Sequence, residues 1–530
     1  MTDKTSQPNN GTPDEAAESI QTPLKELIKT RREKVRQLAG QGLNLYPYRY
    51  ERRHLIAELH EKFESLAADE TAVRLAGRIM LKRKMGKASF ADVRDSSGRL
   101  QIYVKLNNVG QEAFDLFDTV DLGDMIGCEG SLFITRTGER TLKVMSFEIL
   151  AKALHPLPDK HSGLVDVETR YRRRYADLIA NPEVREDFVK RTKIIQLIRD
   201  YLNADGFLEV ETPILQPLYG GGMALPFKTH HYRLDRELYL RIADELYLKR
   251  LLVGGFEKVW EFCKDFRNEG IDRLHNPEFS MIELYWAYAD YRDMAAMFEK
   301  MLRHVVLELH GTYRIPYDEY EVDFEPPFKW ISMIDSITEQ TSVDFSDLDF
   351  EAAKAAARKL DVKRDGLINR GKVIEAVWEA AVEPTLIQPT FIVDFPVEIS
   401  PLAKKHREME GLTERFELFI AGLEMGNAFS ELNDPVDQLQ RFLQQGKALE
   451  AGDQEAQPLD DDFITALMYG MPPTAGLGFG VDRLVMLLTN KHNIRDVLLF
   501  PQMKEMKEGS VPVSKILAQI VREESTDGAE

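Results

Sequence analysis

Residues 71–155 consist of short runs in which apolar and polar positions alternate. In "AVRLAGRIMLKRK" and "RLQIYVKL" the apolar side chains fall on every second position, which is typical of strands with one buried face. Five such runs occur, broken by turns such as "SSG" and "TGE", and a helical stretch, "VGQEAFDLFDTV", precedes the fourth run. Five short strands in so few residues predict a small closed β-barrel.

The segment before the barrel has the spacing of a helix. In "LKELIKTRREKVRQLAGQG" the apolar residues recur roughly every third or fourth position until a glycine stop. We therefore predict a helical segment over residues 21–70, and a disordered tail over residues 1–20, where apolar side chains are few. The basic side of the helix fits a solvated face or contact with a polyanion, and the pattern does not choose between them.

Longer elements follow over residues 156–508. A helix in "DFVKRTKIIQLIRDYLNADGF" ends at Gly206, and the strand "FLEVETPIL" is closed by Pro213. A helical insertion is expected over about 290–385, "TAGLGFGVDRLVMLLTN" is read as a glycine-rich turn that leads into a helix, and residues 509–530 as a C-terminal tail. Further strands are predicted in "ELYLRIA", "KVWEFCKDFR", "FSMIELYWAYA", "TFIVDFPVEIS" and "RFELFIAGLEMGNAFSEL". This order predicts an α+β domain with an antiparallel sheet and flanking helices.

Composition narrows the possible partners. The net charge of -19 argues against diffuse attraction of the whole chain to nucleic acid. Residues 1–150 hold 23 Lys and Arg against 22 Asp and Glu, so a polyanion would approach the front module. Cys128 and Cys263 lack the paired spacing of a zinc site or a disulfide scaffold, and no run of about 18 apolar residues is present. We expect a cytoplasmic protein without a membrane segment.

The stretch "FRNEGIDRLHNPEF" carries the densest candidate chemistry. Arg267 at a strand end suits a forked contact with phosphate or carboxylate, and Glu269 offers an acceptor for an exocyclic amine. His275 suits a terminal phosphate, and the ring of Phe279 suits a stacked base. Together they describe a site for a bent ATP, but by themselves they fit a salt-bridged hairpin with a packed Phe equally well.

A second group of acids lies downstream. Glu417 and Glu424 are seven residues apart, which would place them on opposite faces of a regular strand. Gly422 between them permits a bulge that resets the parity, so that both carboxylates point at one Mg²⁺. Asn427 and Glu431, four residues apart, should share the same face.

Three stretches in this order resemble the ordered motifs of the class II aminoacyl-tRNA synthetases: the helix and strand that end at Pro213, the hairpin at 266–279, and "GLGFGVDRL". Longer stretches resemble the lysyl-tRNA synthetases of the class II bacterial type, and the likeness covers about residues 45–505. They read "RIADELYLKRLLVGGFEKVWEFCKDFRNEGI", "HNPEFSMIELYWAYADY", "DFPVEISPLAKKHR", "RFELFIAGLEMGNAFSELNDP" and "YGMPPTAGLGFGVDRLVMLLTNKHNIRDVLLFPQMK".

The resemblance implies a lysine–tRNA ligase that makes lysyl-adenylate from L-lysine and ATP, releases pyrophosphate, and loads tRNA(Lys). It implies a catalytic Arg267 on the α-phosphate and the lysine carboxylate, with more than one Mg²⁺ per subunit held with the ATP phosphates. The remaining ATP residues would be Glu269, His275, Asn276, Phe279 and Arg483, and the metal ligands Glu417 and Glu424. It also implies a homodimer in which Pro213 supports the partner's site.

The choice of amino acid is implied by matches to the family's pocket. Glu283, Tyr285 and Glu431 match the side-chain ammonium site, Glu245 and the backbone of Gly221 match the α-amino site, and Asn427 lies near the carboxylate. The relatives that load aspartate or asparagine carry a Gln-Ser-Pro-Gln signature near "ADELYLK", where this chain has Glu instead. Leu225 and Gly222 depart from the family pattern, which usually has a basic residue and an Ala there.

For the barrel the resemblance implies an OB-fold that recognises the anticodon. Phe90 would stack on a base, while Gln101 and Glu139 would read base edges. A buried core Phe is the alternative at position 90, and Arg78 is either a phosphate contact or a solvated charge. Three other classes of protein would differ from this sequence. A synthetase-like regulator would have lost some of the site residues, and a ligase that lysylates a protein would lack the barrel. A lipid lysyltransferase would have additional membrane helices.

Overall fold

The computed structural model describes residues 13–158, 164–325, 327–364, 366–450, 458–505 and 513–527. The chain divides into two compact units. Residues 1–165 together with 504–530 form the barrel unit, and residues 166–503 form the sheet unit. The barrel unit therefore combines two stretches that are far apart in the sequence.

A closed five-stranded barrel forms the centre of the barrel unit, as the alternating runs predict. The strands follow one another around the barrel in the order β1-β2-β3-β5-β4. In the third strand Leu100, Ile102 and Val104 point into the core, while Gln101 and Tyr103 face outward. The strands are β1 (Val73–Met85), β2 (Ala88–Arg94), β3 (Arg99–Lys105), β4 (Met125–Ile134) and β5 (Arg140–Ala151).

Five helices of the barrel unit precede or interrupt the strands. The first begins at Pro13, so it includes part of the tail expected over residues 1–20, while residues 1–12 lie outside the described residues. The helical stretch predicted before the fourth strand is present as two short helices. The five are α1 (Pro13–Gly40), α2 (Ile56–Glu61), α3 (Phe63–Ala68), α4 (Leu106–Val109) and α5 (Gln111–Asp118).

The sheet unit is built on an eight-stranded sheet in the order β14-β15-β16-β17-β18-β11-β10-β6. Its central pairs are antiparallel, whereas the pairs at its two edges, β14 with β15 and β10 with β6, run parallel. The α+β class is confirmed, and the sheet is mixed at its edges. Its strands are β6 (Leu208–Glu209), β10 (Lys258–Phe266), β11 (Glu278–Ala287), β14 (Lys329–Ser332), β15 (Thr390–Val393), β16 (Arg415–Ile420), β17 (Leu423–Ser430) and β18 (Thr474–Gly480).

Two small sheets and a set of helices accompany the eight-stranded sheet. The small sheets comprise β7 (Leu215–Gln216), β8 (Lys228–His231), β9 (Arg236–Leu240), and the hairpin β12 (Arg314–Tyr317) with β13 (Tyr320–Asp323). The helices are α6 (Val167–Arg172), α7 (Arg174–Ala180), α8 (Pro182–Ala204), α9 (Glu245–Val253), α10 (Tyr291–His310), α11 (Met333–Thr341), α12 (Phe350–Lys359), α13 (Arg370–Ala381), α14 (Pro435–Glu450), α15 (Asp461–Met468), α16 (Val481–Leu488) and α17 (Ile494–Val497). Apolar residues of α8, α10 and α16 join the main sheet in one large core.

Three element predictions were wrong in extent. The segment expected to be a helical insertion over about 290–385 contains β12, β13 and β14 besides its helices. The strand predicted in "FLEVETPIL" is interrupted: β6 has two residues, which pair with Val259 and Trp260, and the next strand residue is Leu215, which begins β7. The strand in "TFIVDFPVEIS" ends at Val393, because Asp394 has a positive φ of 62° and Pro396 follows.

The sequence "TAGLGFG" forms the strand β18, so the prediction of a glycine-rich turn was wrong. Gly476 is required by close packing, because a Cβ there would lie 2.0 Å from Oε1 of Glu431 and 2.5 Å from the ring of Tyr285. The glycines thus mark a strand over which neighbouring side chains lie very close to the backbone.

A final helix, α18 (Val513–Asp527), lies where residues 509–530 were expected to form a tail. Ile516 and Ile520 pack against Ile28 of α1, and Lys25 of α1 pairs with Glu523 at 2.7 Å. The tail prediction overlooked the helical spacing of the apolar residues in "VSKILAQIV". Among the described residues, no helix is both long enough and apolar enough to cross a membrane.

Candidate active site

One cavity of about 420 Å³ lies within the sheet unit. Its wall is formed by the hairpin β10–β11, the strands β16, β17 and β18, the starts of α9 and α16, and the loop between β7 and β8. The structure brings all the residues predicted to bind ATP, lysine or metal to this wall: Gly221, Glu245, Arg267, Glu269, His275, Asn276, Phe279, Glu283, Tyr285, Glu417, Glu424, Asn427, Glu431 and Arg483.

Arg267 directly follows β10 and is fixed at the mouth of the hairpin. Its backbone N–H donates to the Pro277 carbonyl at 3.0 Å, which joins the two arms. Its guanidinium lies 5.1 Å from the centre of the Phe279 ring. A guanidinium oriented by an aromatic ring can present paired N–H donors to a phosphate or a carboxylate.

His275 is oriented by Asp272 and Arg483, and not by Glu269 on the opposite side of the turn. Its Nδ1 lies 2.8 Å from the carboxylate of Asp272, and its Nε2 lies 3.3 Å from Nη2 of Arg483. Because Asp272 accepts at Nδ1, the imidazole is held with Nε2 toward the cavity. Asp272 was not anticipated from the sequence, although its position three residues before His275 places it in the same tight turn.

Glu417 and Glu424 both face the cavity, but not through the bulge that the sequence predicted at Gly422. They lie on separate strands, β16 and β17, joined by a tight turn in which Ala421 and Gly422 have φ of 54° and 71°. The irregularity in pairing falls beyond the turn, between Leu418 and Phe419 of β16, where β17 takes the extra residue. The tight turn itself brings the two acids to one face, because Glu424 pairs with Phe419, which lies two residues from Glu417; the extra residue follows Glu424 and plays no part in this.

The electrostatics of these two acids suit a cation. Burial raises the pKa of Glu417 to about 7, Arg415 opposes the rise, and the neighbouring charge of Glu424 adds to it. Arg415 lies 2.5 Å from Glu417, and Arg483 lies 3.1 Å from Glu424. Two carboxylates that influence each other's charge, one of them buried, form a donor set of the kind that Mg²⁺ prefers.

A deeper part of the cavity is acidic. The Tyr285 hydroxyl donates to Oε2 of Glu283 at 3.1 Å. Burial raises the pKa of Glu283 well above its ordinary value, and the charges of Asp244 and Asp265 raise it further. Burial also raises the pKa of Glu431, to about 8. Buried carboxyl groups that are reluctant to ionise favour a cationic ligand, because the ligand's charge restores the ionised form.

Lys249, a residue not anticipated by the sequence reasoning, stands behind this acidic end. It lies on α9, one turn after Glu245, and its Nζ is 2.5 Å from Oε1 of Glu245. The same Nζ forms an ion pair with Glu431. The spacing of four residues between Glu245 and Lys249 was a signal that could have revealed the first of these contacts.

The two positions that depart from the family pattern lie beside the hairpin. Gly222 lines the cavity, and a Cβ at this position would be 3.7 Å from Nη2 of Arg267. The Leu225 carbonyl accepts a hydrogen bond of 2.8 Å from the backbone N–H of Asn268. Leu225 thus supports the hairpin through its backbone, and its side chain is partly exposed.

The predicted anticodon residues lie on the outside of the barrel. Phe90 is half-buried and its ring is 4.7 Å from that of Tyr103, which in turn lies 5.9 Å from Phe133. Phe90 is therefore not a core residue, and it belongs to an aromatic row whose other two members were not anticipated. The row follows from the register, which pairs Phe90 with Tyr103 across β2 and β3.

The polar residues considered for tRNA contact are already partnered within the barrel. Gln101 accepts a hydrogen bond of 3.0 Å from the Thr141 hydroxyl, and Glu139 lies 3.1 Å from Arg99. Arg78 donates to the Gly123 carbonyl at 2.8 Å. It is therefore neither a simple solvated charge nor a side chain left entirely for a phosphate contact. An aromatic row flanked by hydrogen-bonding groups is the arrangement on which single-stranded bases stack.

The fold and the site together define a class II aminoacyl-tRNA synthetase. The family model described as "tRNA synthetases class II (D, K and N)" matches residues 166–504, and the model "OB-fold nucleic acid binding domain" matches residues 73–150. A lysine–tRNA ligase of Carboxydothermus hydrogenoformans is 55% identical over 91% of this chain and 98% of its own length. Those of Pelotomaculum thermopropionicum and Bacillus subtilis are 54% and 51% identical, each over 91% of this chain and over 95% and 98% of their own lengths. The chain belongs to the lysine–tRNA ligase family.

Proposed function

We propose that the cavity activates L-lysine with ATP, releases pyrophosphate, and passes lysine to the 3′ end of tRNA(Lys). The observation that carries this assignment is the division of one cavity into two electrostatic parts. Arg267, His275 and Arg483 line one part, where polyphosphate would lie, and the buried acids Glu283 and Glu431 line the other. An anionic nucleotide and a cationic amino acid would then meet between them.

In the proposed reaction an oxygen of the lysine carboxylate attacks the α-phosphorus of ATP. The bond to the β-phosphate breaks and pyrophosphate leaves. Arg267 binds the α-phosphate and the carboxylate, so its charge stabilises the negative charge that builds up between them. A ribose hydroxyl of the terminal adenosine of tRNA then attacks the lysyl carbonyl, and AMP leaves. Positioning and electrostatics supply the catalysis, and the protein provides no nucleophile.

The adenine and the outer phosphates are assigned to side chains around the hairpin. Phe279 and Arg483 would enclose the adenine ring, and Glu269 would accept from its amine. His275 and Asn276 would lie beside the outer phosphates. Glu417 and Glu424 would hold Mg²⁺, which supplies charge neutralisation to the phosphates when it is bound.

Selectivity for lysine is assigned to the acidic end of the cavity. Glu283, Tyr285 and Glu431 would surround the side-chain ammonium, which has three donors to satisfy. Glu245 and the backbone of Gly221 would receive the α-amino group, and Asn427 would approach the carboxylate. A neutral or acidic side chain would bring these buried acids no positive charge and leave part of their hydrogen-bonding capacity unused, which is costly.

Pyrophosphate exchange with each standard amino acid tests the assignment. Lysine is expected to support exchange at least a hundredfold better than any other amino acid. A site that leaves buried polar groups unpaired can reject a wrong substrate by a factor on the order of 10⁴. The assay needs ATP, Mg²⁺ and the full-length chain, and omitting the amino acid provides its baseline. Exchange of equal strength with aspartate or asparagine would contradict the assignment.

The barrel is proposed to read the anticodon with its aromatic row. Phe90→Ala is expected to weaken the tRNA interaction by about 1–3 kcal/mol, the range for one base on one ring. Charging should lose kcat/KM for tRNA, while lysine-dependent pyrophosphate exchange, which needs no tRNA, should stay near the parent value.

Tyr46→Ala is a suitable control for Phe90→Ala, because Tyr46 is an exposed aromatic residue of the same unit. Thermal unfolding of both variants reports any loss of barrel stability. A tRNA with an altered anticodon should lose less from Phe90→Ala than the cognate tRNA. Unchanged charging by a stably folded Phe90→Ala variant would remove Phe90 from the anticodon site.

A homodimer is proposed around the segment that precedes and follows Pro213. Leu208, Ile214 and Leu215 are apolar, and each has about half of its side chain exposed. Exposed apolar residues in one segment fit a self-complementary interface, which in stable dimers buries about 2,000 Å² or more. Sedimentation at nanomolar concentration should give the mass of two chains, and a fully active monomer would contradict the proposal.

A further inference from the structure

Lys249 is the least exposed cation near the cavity, with a side-chain exposure of 0%. Its Nζ lies between two carboxylates from different parts of the fold: Glu245 at the start of α9, and Glu431 just after β17. The Phe429 ring covers it at 5.3 Å. Lys249 does not itself line the cavity, but its two acidic partners do.

The two partners are the ones with separate tasks in the proposed function. Glu245 is assigned to the α-amino group of the substrate, and Glu431 to the side-chain ammonium. Both carboxylates line the cavity, while Lys249 bridges them from behind. One buried cation therefore connects the two ends of the site at which the substrate's own two ammonium groups would bind.

We propose that Lys249 is a positioning residue for lysine: its ammonium holds the carboxyl groups of Glu245 and Glu431 at the separation that the substrate requires and favours the ionised form of Glu431. This inference rests on the proposed assignment of Glu431 to the substrate ammonium. Lys249 itself touches no substrate atom, so it acts through the two acids.

The surroundings make this role necessary. Besides Glu245 on its own helix and Glu431 after β17, the acidic end contains Glu283 and Tyr285 from β11, so acids face it from three elements. Burial raises the pKa of Glu431, the charge of Glu245 adds to the rise, and Lys249 is the group that opposes it. Without that opposition the pKa of Glu431 would stand higher still, and the carboxyl would be harder to ionise when an ammonium approaches.

The direction of the pH effect follows from this. A substrate ammonium binds well only when Glu431 is ionised, and removing Lys249 raises the pKa of Glu431 further. At a fixed pH below that pKa, the ionised fraction falls about tenfold for each unit by which the pKa rises. The KM for lysine should therefore become steeply pH-dependent, falling as the pH rises.

The test is Lys249→Met, which keeps the length of the side chain and removes its charge. In pyrophosphate exchange at pH 7 the KM for lysine should rise about 10- to 100-fold, the equivalent of one charge-assisted contact. The KM for ATP and kcat should change by less than about threefold. Between pH 6.5 and 8.5 the KM for lysine should fall more steeply in the variant than in the parent.

Lys152→Met is the matched control. Lys152 is also fully buried and also bridges two acids, Asp121 at 2.8 Å and Asp124 at 2.6 Å, but it belongs to the barrel unit. It should leave the KM for lysine and its pH profile unchanged. A folded Lys249→Met variant with the parent's KM, or with a raised KM and the parent's pH profile, would overturn the proposal.

A double variant covers the case in which Lys249→Met does not fold. Lys249→Met with Glu431→Gln removes the cation together with one of its acids, so less uncompensated charge is left buried. If Lys249 acts through Glu431, the double variant should bind lysine within about fivefold of Glu431→Gln alone. Effects that multiply in full would overturn the proposal. If Glu431→Gln alone had no effect, the assignment of the ammonium pocket would fail instead.

Discussion

Arg267→Ala is expected to lower kcat for lysine-dependent pyrophosphate exchange by about a thousandfold. Arg267 is the side chain best placed to contact both reacting groups, because it leaves β10 at the cavity and is oriented by the Phe279 ring. Removing one preorganised donor from developing charge typically costs a factor of about 10²–10³, and an arginine at a phosphoryl centre about 10³ or more. The KM for lysine should change much less than kcat.

Arg314→Ala provides the comparison. Arg314 is an exposed residue of the same unit, paired with Asp323 at 3.1 Å on the β12–β13 hairpin, and such surface pairs contribute about 1 kcal/mol or less. Its exchange rate should match that of the parent. If Arg267→Ala retained more than a tenth of the parental kcat, another group would have to stabilise the transition state.

Glu431→Gln is expected to lower kcat/KM for lysine between about tenfold and a few hundredfold. The substitution keeps the shape of the side chain and removes a buried charge that would face the substrate ammonium, a contact worth about 1.5–3 kcal/mol. The KM for ATP should barely change, because the nucleotide residues lie on the hairpin and on α16. Exchange titrated separately in lysine and in ATP distinguishes the two effects.

Glu523→Gln serves as its control, since Glu523 is an exposed acid of α18 paired with Lys25. Its kinetic constants for both substrates should equal those of the parent. A Glu431→Gln variant that used lysine like the parent would move the ammonium pocket to other residues.

Much of the fold follows from local patterns. The alternation of apolar residues in the barrel strands and their helical spacing in α8 show which face of each element is buried. These faces form the core, so local spacing is enough to predict them. The failures have a common physical cause. The glycines of β18 have the composition of a turn. They are needed because Glu431 and Tyr285 approach the strand closely, and these residues are distant in sequence. Likewise β6 is short because it has a neighbour on one side only.

The candidate site shows the same division between local and long-range information. The hairpin residues from Arg267 to Phe279 are close in sequence, and their convergence could be predicted from one stretch. Lys249 was missed because its second partner, Glu431, is 182 residues away, as the two residue numbers show. The turn at Gly422 was taken for a bulge because both need a positive φ, and only pairing between strands tells them apart.

The pairing of α1 with α18 has a consequence for the order of events during synthesis. Helix α1 leaves the ribosome before the barrel strands and the sheet unit, but Ile28 gains its partners Ile516 and Ile520 only after residue 520 has been translated. The barrel can close on its own strands much earlier, since all five lie between Val73 and Ala151. The apolar stripe of α1 therefore stays uncovered by α18 throughout translation of residues 166–503, an interval of roughly 17 to 68 s at 5–20 residues per second.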